Sequence, residues 1–246
     1  HGRGRRALAE GSLHQLQKQI LQHIDEAPIT SKDSLGIERV QRQREDNSID
    51  FFKGNADRLR EQQELIVPWA DYSEITLQLL DRLETKKFDL IIEVGVGEGR
   101  LLPYLGDRAR RVTALDLSKD MLRLAQQHAQ HLSNVSFVHG STDALKKHSH
   151  EVDVIVANMV LHHTPEPEKV LAEAASLLMP GGHFIVSELC AHDQAWAREH
   201  CGDVWLGFTP EQLAGWAEDA DLTLSASVFL AQRNGFQIQV QHFQRC

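Results

Sequence analysis

In the stretch FDLIIEVGVGEGR, residues 88–100, a run of apolar, β-favouring residues reaches Glu93, and glycine follows at every second position, Gly95, Gly97 and Gly99. An apolar run without polar alternation predicts a strand covered on both faces. A loop without Cβ atoms at its carboxyl end lets a ligand approach the backbone closely, and open α/β sheets bind their ligands beyond those ends. By itself the GxGxG spacing also suits a plain turn packing strand against helix, and Arg100 stands where a dinucleotide fingerprint places its third glycine.

The rest of the chain extends the pattern. Strands are predicted at 88–94, 111–117, 135–139, 153–158 and 183–189, with helix-like segments between them, which implies a parallel sheet covered on both faces. LTLSASVFL and FQIQVQHF differ: they are joined directly through AQRNG, Asn234-Gly235 is a hairpin signal, and Phe236, Ile238 and Val240 alternate with glutamines. That pair is expected to be antiparallel and to close one edge. Residues 1 to about 85 read as mostly helical. Leu13, Leu16, Ile20, Leu21 and Ile24 recur at helical spacing behind Ser12 as N-cap, residues 26–36 read as a linker, and further helices follow in IERVQRQREDNSIDFF, NADRLREQQELI and YSEITLQLLDRLE.

Charge and cysteine content exclude several functions. The net charge is −9, and residues 1–60 hold 11 Lys+Arg against 9 Asp+Glu, so nearly all the acidity lies beyond them. The larger part is not expected to bind nucleic acid; HGRGRR reads either as a solvated tail or as a remnant of a nucleic-acid-binding element. No apolar run approaches the roughly 18 residues of a membrane span. Cys190, Cys201 and Cys246 form no CxxC pair and no disulfide framework, so the chain reads as soluble and cytoplasmic. No HxxxH or Cys/His spacing organises the 14 histidines, and no structural metal is predicted.

Asp116 ends the second predicted strand, where a carboxylate can accept from both hydroxyls of a ribose, although it also suits a helix cap for LSKDMLRLA. HGSTDAL follows the third strand, as an adenine-reading loop or an ordinary turn. With these residues in place the chain resembles the class I S-adenosylmethionine-dependent methyltransferases over about residues 50–246: EVGVGEGR is similar to their first motif, ALDLSKDML to the second and HGSTDAL to the third. DVIVANMVLHHTPEPEKVLAEAASLLMPGGHFIVSE is similar to their fourth strand, helix, Pro-Gly-Gly turn and fifth strand. The resemblance implies a Rossmann-like α/β sheet with an antiparallel last strand, preceded by a helical extension. It implies S-adenosylmethionine as cofactor, S-adenosylhomocysteine as product and a small-molecule acceptor.

The resemblance also implies roles. Gly95, Gly97 and Gly99 would lie along the methionine and ribose parts, Glu93 would orient the amino-acid end, and Asp116 with Leu117 would hold the ribose. Ser141 and Thr142 would sit by the adenine, although this chain delays to Asp143 the acid that many relatives carry directly after the glycine. Asn158 would face the sulfonium, and His162 and His163 are candidate bases, or a packing pair at a helix start. The whole chain resembles the methyltransferase half of fusions in which an arsenic-repressor-like winged-helix regulator comes first. Residues 1–45 would then be the regulator remnant with its dimerisation helix, and 46–246 the methyltransferase domain. That predicts a homodimer, DNA reached only through a missing amino-terminal domain, and an alternative role as a cofactor-sensing part of a transcriptional regulator. Phe51, Phe52 and Trp205, the last in an aromatic insertion over 190–210 with Trp196 and Phe208, are expected either to wall the acceptor pocket or to be plain core; Leu59-Arg60 departs from the relatives' aromatic-acid pair. Cys190 and Cys201 bracket that insertion, which raises arsenite as an alternative acceptor.

Overall fold

The computed structural model describes residues 34–36, 39–41, 43, 63–83 and 87–246. The expected helix at 12–25, Phe51, Phe52 and the Leu59-Arg60 departure lie outside the described residues. Ser34, Leu35 and Gly36 are helical where their composition predicts linker, since Ser and Gly lower helix propensity without forbidding it. The chain divides into two units, His1–Gln43 and Arg44–Cys246, and everything below belongs to the second.

Helix α1 (Trp69–Asp81) starts at Pro68, whose fixed φ suits a helix entry, and it buries Ile75, Thr76, Leu79 and Leu80. The following elements are β1 (Phe88–Val94), α2 (Leu102–Arg108), β2 (Ala109–Asp116), α3 (Lys119–His128), β3 (Val135–His139), β4 (Val152–Asn158), α4 (Pro167–Leu177) and β5 (Leu178–Leu189). After them come α5 (Trp196–Cys201), α6 (Pro210–Asp219), β6 (Leu222–Ala231) and β7 (Gln237–Arg245). Ser118 caps α3 by accepting from Met121 N. Thr209 and Gln212 form a capping box at α6, each side chain accepting from the other's backbone N–H.

The seven strands lie in the order β3-β2-β1-β4-β5-β7-β6. β1 is central, parallel to β2 from Phe88↔Ala109 to Val94↔Leu115 and to β4 from Ile91↔Val154 to Val94↔Ala157. Successive side chains of a strand point to opposite faces. Ile91 therefore enters one core with Leu79, Leu80 and Val112, while Leu90 and Ile92 enter the other with Ile155, Leu171 and Phe184. Both faces are buried, which is why β1 shows no polar alternation. Full burial of Ile91, 0% exposed, contributes about 1.5–3 kcal/mol.

The sheet departs from expectation at Pro180-Gly181-Gly182. Instead of a turn before the fifth strand, these residues form an irregularity inside β5, where pairing with β4 jumps from Val152↔Leu178 to Val154↔His183. A Cβ at Gly182 would sit 2.9 Å from the Met179 carbonyl oxygen, so only glycine lets the strand close over the extra residues. The last hairpin is as read: β7 runs antiparallel to β5 and to β6. Its turn reaches back to the start of the unit, with Asn234 Nδ2 donating to the carbonyls of Leu65 (2.7 Å) and Ile66 (2.8 Å), and Gln232 Nε2 donating to Asp71 (3.1 Å). No helix among the described residues is long and apolar enough to cross a membrane.

Candidate functional site

A cavity of about 230 Å³ opens where β1, β2 and β4 end. Its floor is the glycine loop, with Gly95, Gly97 and Gly99 at φ of +68°, +52° and +76°. The three glycines serve different ends. A Cβ at Gly95 would lie 2.4 Å from Val160 Cγ2, and one at Gly99 2.9 Å from Ala125, so both are required by packing; at Gly97 nothing lies within 4 Å. Gly97 is thus the position that bares backbone to the cavity.

Asp116 ties this loop to the next. Its Oδ2 accepts from Gly97 N at 2.9 Å and its Oδ1 from Ser118 N at 2.8 Å. Each oxygen keeps a second lone pair for a ligand. Burial raises its carboxyl above the ordinary 3.8, opposed by those backbone donors. Glu93, at the end of β1, is 5% exposed, and its Oε2 has no hydrogen-bond partner among the described residues. Burial, with the charge of Asp116 beside it, lifts Glu93 to about 8. A buried carboxylate facing a cavity in this way fits a cationic ligand group.

Asn158 lines the same cavity. Its Oδ1 lies 3.1 Å from Thr76 Oγ1, which in turn lies 2.9 Å from Ser187 Oγ, so α1 and β5 fix the amide. Met159, next in the chain, is held at φ +55° with its N–H donating to Ser187 O, a strained conformation that turns it into the cavity wall. Val67, Trp69 and Tyr72 form the opposite wall, with Arg100 4.5 Å over the Trp69 ring and paired to Glu64 at 2.8 Å. Burial raises the Tyr72 hydroxyl above its ordinary value, keeping it protonated.

Other expected residues are placed differently. Leu117, Ser141 and Thr142 line the cavity, and Thr142 also donates its hydroxyl to Glu173. His163 lines the cavity and His162 does not; His162 is 2% exposed, with Nδ1 2.7 Å from Glu188 Oε2. Glu188 also accepts from the backbone of Val160, Leu161 and His162, which pins the turn after β4. Burial disfavours the His162 imidazolium, but Glu188 and Asp203 more than offset it and raise the ring to about 9. The same burial and the His162 charge push His163 well below 6.5, so its ring is neutral at pH 7.

The aromatic insertion packs away from the cavity. Trp205 donates to Thr164 O and packs on Phe208, Trp196 packs edge-on against Phe236, and none of the three lines the cavity. Apolar rings inserted after a central strand can pack into the nearest core, the alternative that their composition left open. Cys190 and Cys201 are buried; burial raises both thiols, Cys201 to about 12, so neither is a ready thiolate for arsenite. Sequence reasoning missed Trp69, Tyr72, Thr76 and Ser187, which reach the site only through tertiary packing.

S-adenosylmethionine carries an ammonium, a sulfonium and a ribose diol, and the partnerless Glu93 carboxylate, the bare Gly97 backbone and the spare lone pairs of Asp116 fit those groups. Residues 92–186 match the family model described as a methyltransferase domain. The chain carries a class I methyltransferase domain. It is an S-adenosylmethionine-dependent methyltransferase of small molecules. The chain is 26% identical over 164 residues to the ubiquinone biosynthesis O-methyltransferase of Coxiella burnetii, covering 61% of this chain and 70% of that one. Its fold is similar to that of the Burkholderia thailandensis 1,6-didemethyltoxoflavin-N1-methyltransferase with bound 1,6-didemethyltoxoflavin and S-adenosylhomocysteine (TM-score 0.63, 21% identity, 89% of this chain and 92% of that one). It is also similar to the N-methyltransferase NodS of Bradyrhizobium japonicum in complex with S-adenosylhomocysteine (TM-score 0.57, 21% identity, 76% and 98%).

Proposed function

We propose that Glu93, Gly95, Gly97, Gly99, Asp116, Leu117, Ser141 and Asn158 hold the cofactor, and that the acceptor is a planar, largely apolar molecule bearing a hydroxyl. The observation that carries the cofactor half is the partnerless Glu93 carboxylate beside the bare Gly97 and Asp116. Val67, Trp69, Tyr72, Met159 and Val160 support the acceptor half, because aromatic and apolar walls fit a ring, and the O-methyltransferase relative adds a hydroxyl as the atom to test first. When bound, S-adenosylmethionine supplies a methyl carbon on a positively charged sulfur, which an acceptor lone pair displaces in line.

The chain's contribution is then placement and exclusion of water. Thr76 and Ser187 hold Asn158 in one orientation at the end of β4, and the apolar walls keep the acceptor dry, which lowers the entropic part of the barrier. His163, neutral at pH 7, is placed to orient the acceptor hydroxyl; His162 acts through the turn it shares with Glu188. The test is calorimetric titration of S-adenosylmethionine into the chain and into Asp116→Ala, followed by methyl-transfer assays on hydroxylated aromatic acceptors. Binding that survives in Asp116→Ala would overturn the cofactor assignment. Binding without turnover on any hydroxylated acceptor would overturn the acceptor class and favour a cofactor-sensing role.

The amphipathic spacing at 12–25 supports a homodimerisation helix, and the basic residues before it support a link to a DNA-binding regulator in the cytoplasm. Deleting residues 1–35 and finding the solution mass per assembly unchanged in subunit number would sink the dimer.

A further inference from the structure

Behind the cavity wall lies a second cluster, which shares His163 with the proposed acceptor site. His162, His163 and Asp203 bring one ligand atom each within 4.8 Å of one another, and all three are buried. We propose that these residues form a binding site for a divalent cation of the zinc class.

Distances are the first support. His162 Nε2 lies 3.8 Å and His163 Nδ1 3.7 Å from Asp203 Oδ1, and an ion bound there would displace the proton that His163 Nδ1 directs at Gly202 O, 3.3 Å away. Both Asp203 distances are too long for hydrogen bonds, which run to about 3.2 Å. They are close to the roughly 3.4 Å that separates two ligands at tetrahedral angles around an ion with bonds of about 2.0–2.1 Å. Neither oxygen of Asp203 has a hydrogen-bond partner among the described residues, although its side chain is 0% exposed. A buried carboxylate oriented by no donor is the feature an ion would complete.

The surroundings are the second support. Glu188 Oε2 sits 2.7 Å from His162 Nδ1 and holds a proton there, so an ion that displaces the Nε2 proton of the imidazolium would find that lone pair on the Asp203 side. A carboxylate behind an imidazole is the arrangement that fixes the tautomer and orientation of a metal-ligating histidine. The cluster thus holds two fully buried carboxyl groups, Glu188 and Asp203, and a divalent ion would neutralise both. Imidazole and carboxylate donors suit zinc and its neighbours better than the hard cations, which take oxygen alone. His163 also lines the cavity, so a fourth position is within reach of a ligand entering there. The inference does not depend on which acceptor is methylated.

The test loads the chelator-stripped full chain with Zn²⁺ or Co²⁺ alone. One equivalent of Zn²⁺ should be retained through gel filtration and should raise the melting temperature, and Co²⁺ should give the visible band of a tetrahedral nitrogen and oxygen site. Asp203→Asn, which keeps the side-chain shape, and His163→Ala should each lower retention at least tenfold. His183→Gln, which removes one half of the separate His183–His242 pair on β5 and β7, should retain the ion. Failure of the wild-type chain to retain either metal would overturn the proposal. So would equal retention by Asp203→Asn, or a thiolate-to-cobalt band, which would place the ion at a cysteine.

Discussion

Glu93 offers the sharpest perturbation. Its carboxyl is buried, one oxygen has no hydrogen-bond partner among the described residues, and its pKa in the folded chain rises from the ordinary 4.5 to about 8. At 1.36 kcal/mol per unit, that shift amounts to about 5 kcal/mol, comparable to the whole stability of a small domain. The sign follows from where the proton is held more tightly. The folded chain binds it better than the unfolded chain, so the contribution is fully present below pH 4.5, falls as pH rises from 4.5 to about 8, and is flat above. Glu93→Gln cannot ionise and loses this dependence. Urea unfolding of both chains at pH 4, 6 and 8.5 should show nearly equal stability at pH 4 and the variant several kcal/mol more stable at pH 8.5. Saturating S-adenosylmethionine should narrow that gap, because its ammonium would neutralise the wild-type carboxylate. A difference between the chains that does not change with pH would refute the reasoning.

The glycine loop separates stability from binding. Gly97→Ala should cost only about 1–2 kcal/mol of backbone strain at φ +52° yet weaken cofactor binding at least tenfold, whereas Gly95→Ala should add the clash with Val160 and lower the melting temperature markedly in a thermal scan. His162→Gln should destabilise the fold by about 3–5 kcal/mol, since it removes the opposite charge beside buried Glu188. The contribution of His162 is fully present below pH 6.5 and lost as pH rises through about 9, so the gap from the variant, read by denaturant titration, should shrink above that pH. A thiol reagent should find Cys246 in the native chain and all three cysteines only in denaturant, because Cys190 and Cys201 are buried.

What could be read from the sequence was what local pattern encodes. The β1 run, the bare loop after it, the Asp116 position, the Ser118 cap and the Asn234-Gly235 turn each state their structure within a few residues. The Pro-Gly-Gly stretch misled because its outcome depends on a neighbouring strand: glycine permits both a turn and a bulge, and pairing with β4 selects the bulge. Trp205 stayed ambiguous for a related reason, since an aromatic ring fits a pocket or a core equally well until the packing partners are known. Thr76 and Ser187 stand 111 residues apart and meet only across α1 and β5, so no window of sequence pairs them. Asp203 joins His162 and His163 in the same way, which is why ligand spacing predicted no metal site.

The grip of Asn234 on Leu65 and Ile66 bears on when the site comes into being. A ribosome makes residues 63–72, one wall of the cavity, long before residues 232–245, and β7 must slot between β5 and an already synthesised β6. A nascent chain therefore carries the glycine loop, Asp116 and that wall for much of its synthesis without the Gln232 and Asn234 contacts that hold the wall in place. Cofactor capture then waits for residues 232–245, and a chain ending at residue 231 should be unable to bind.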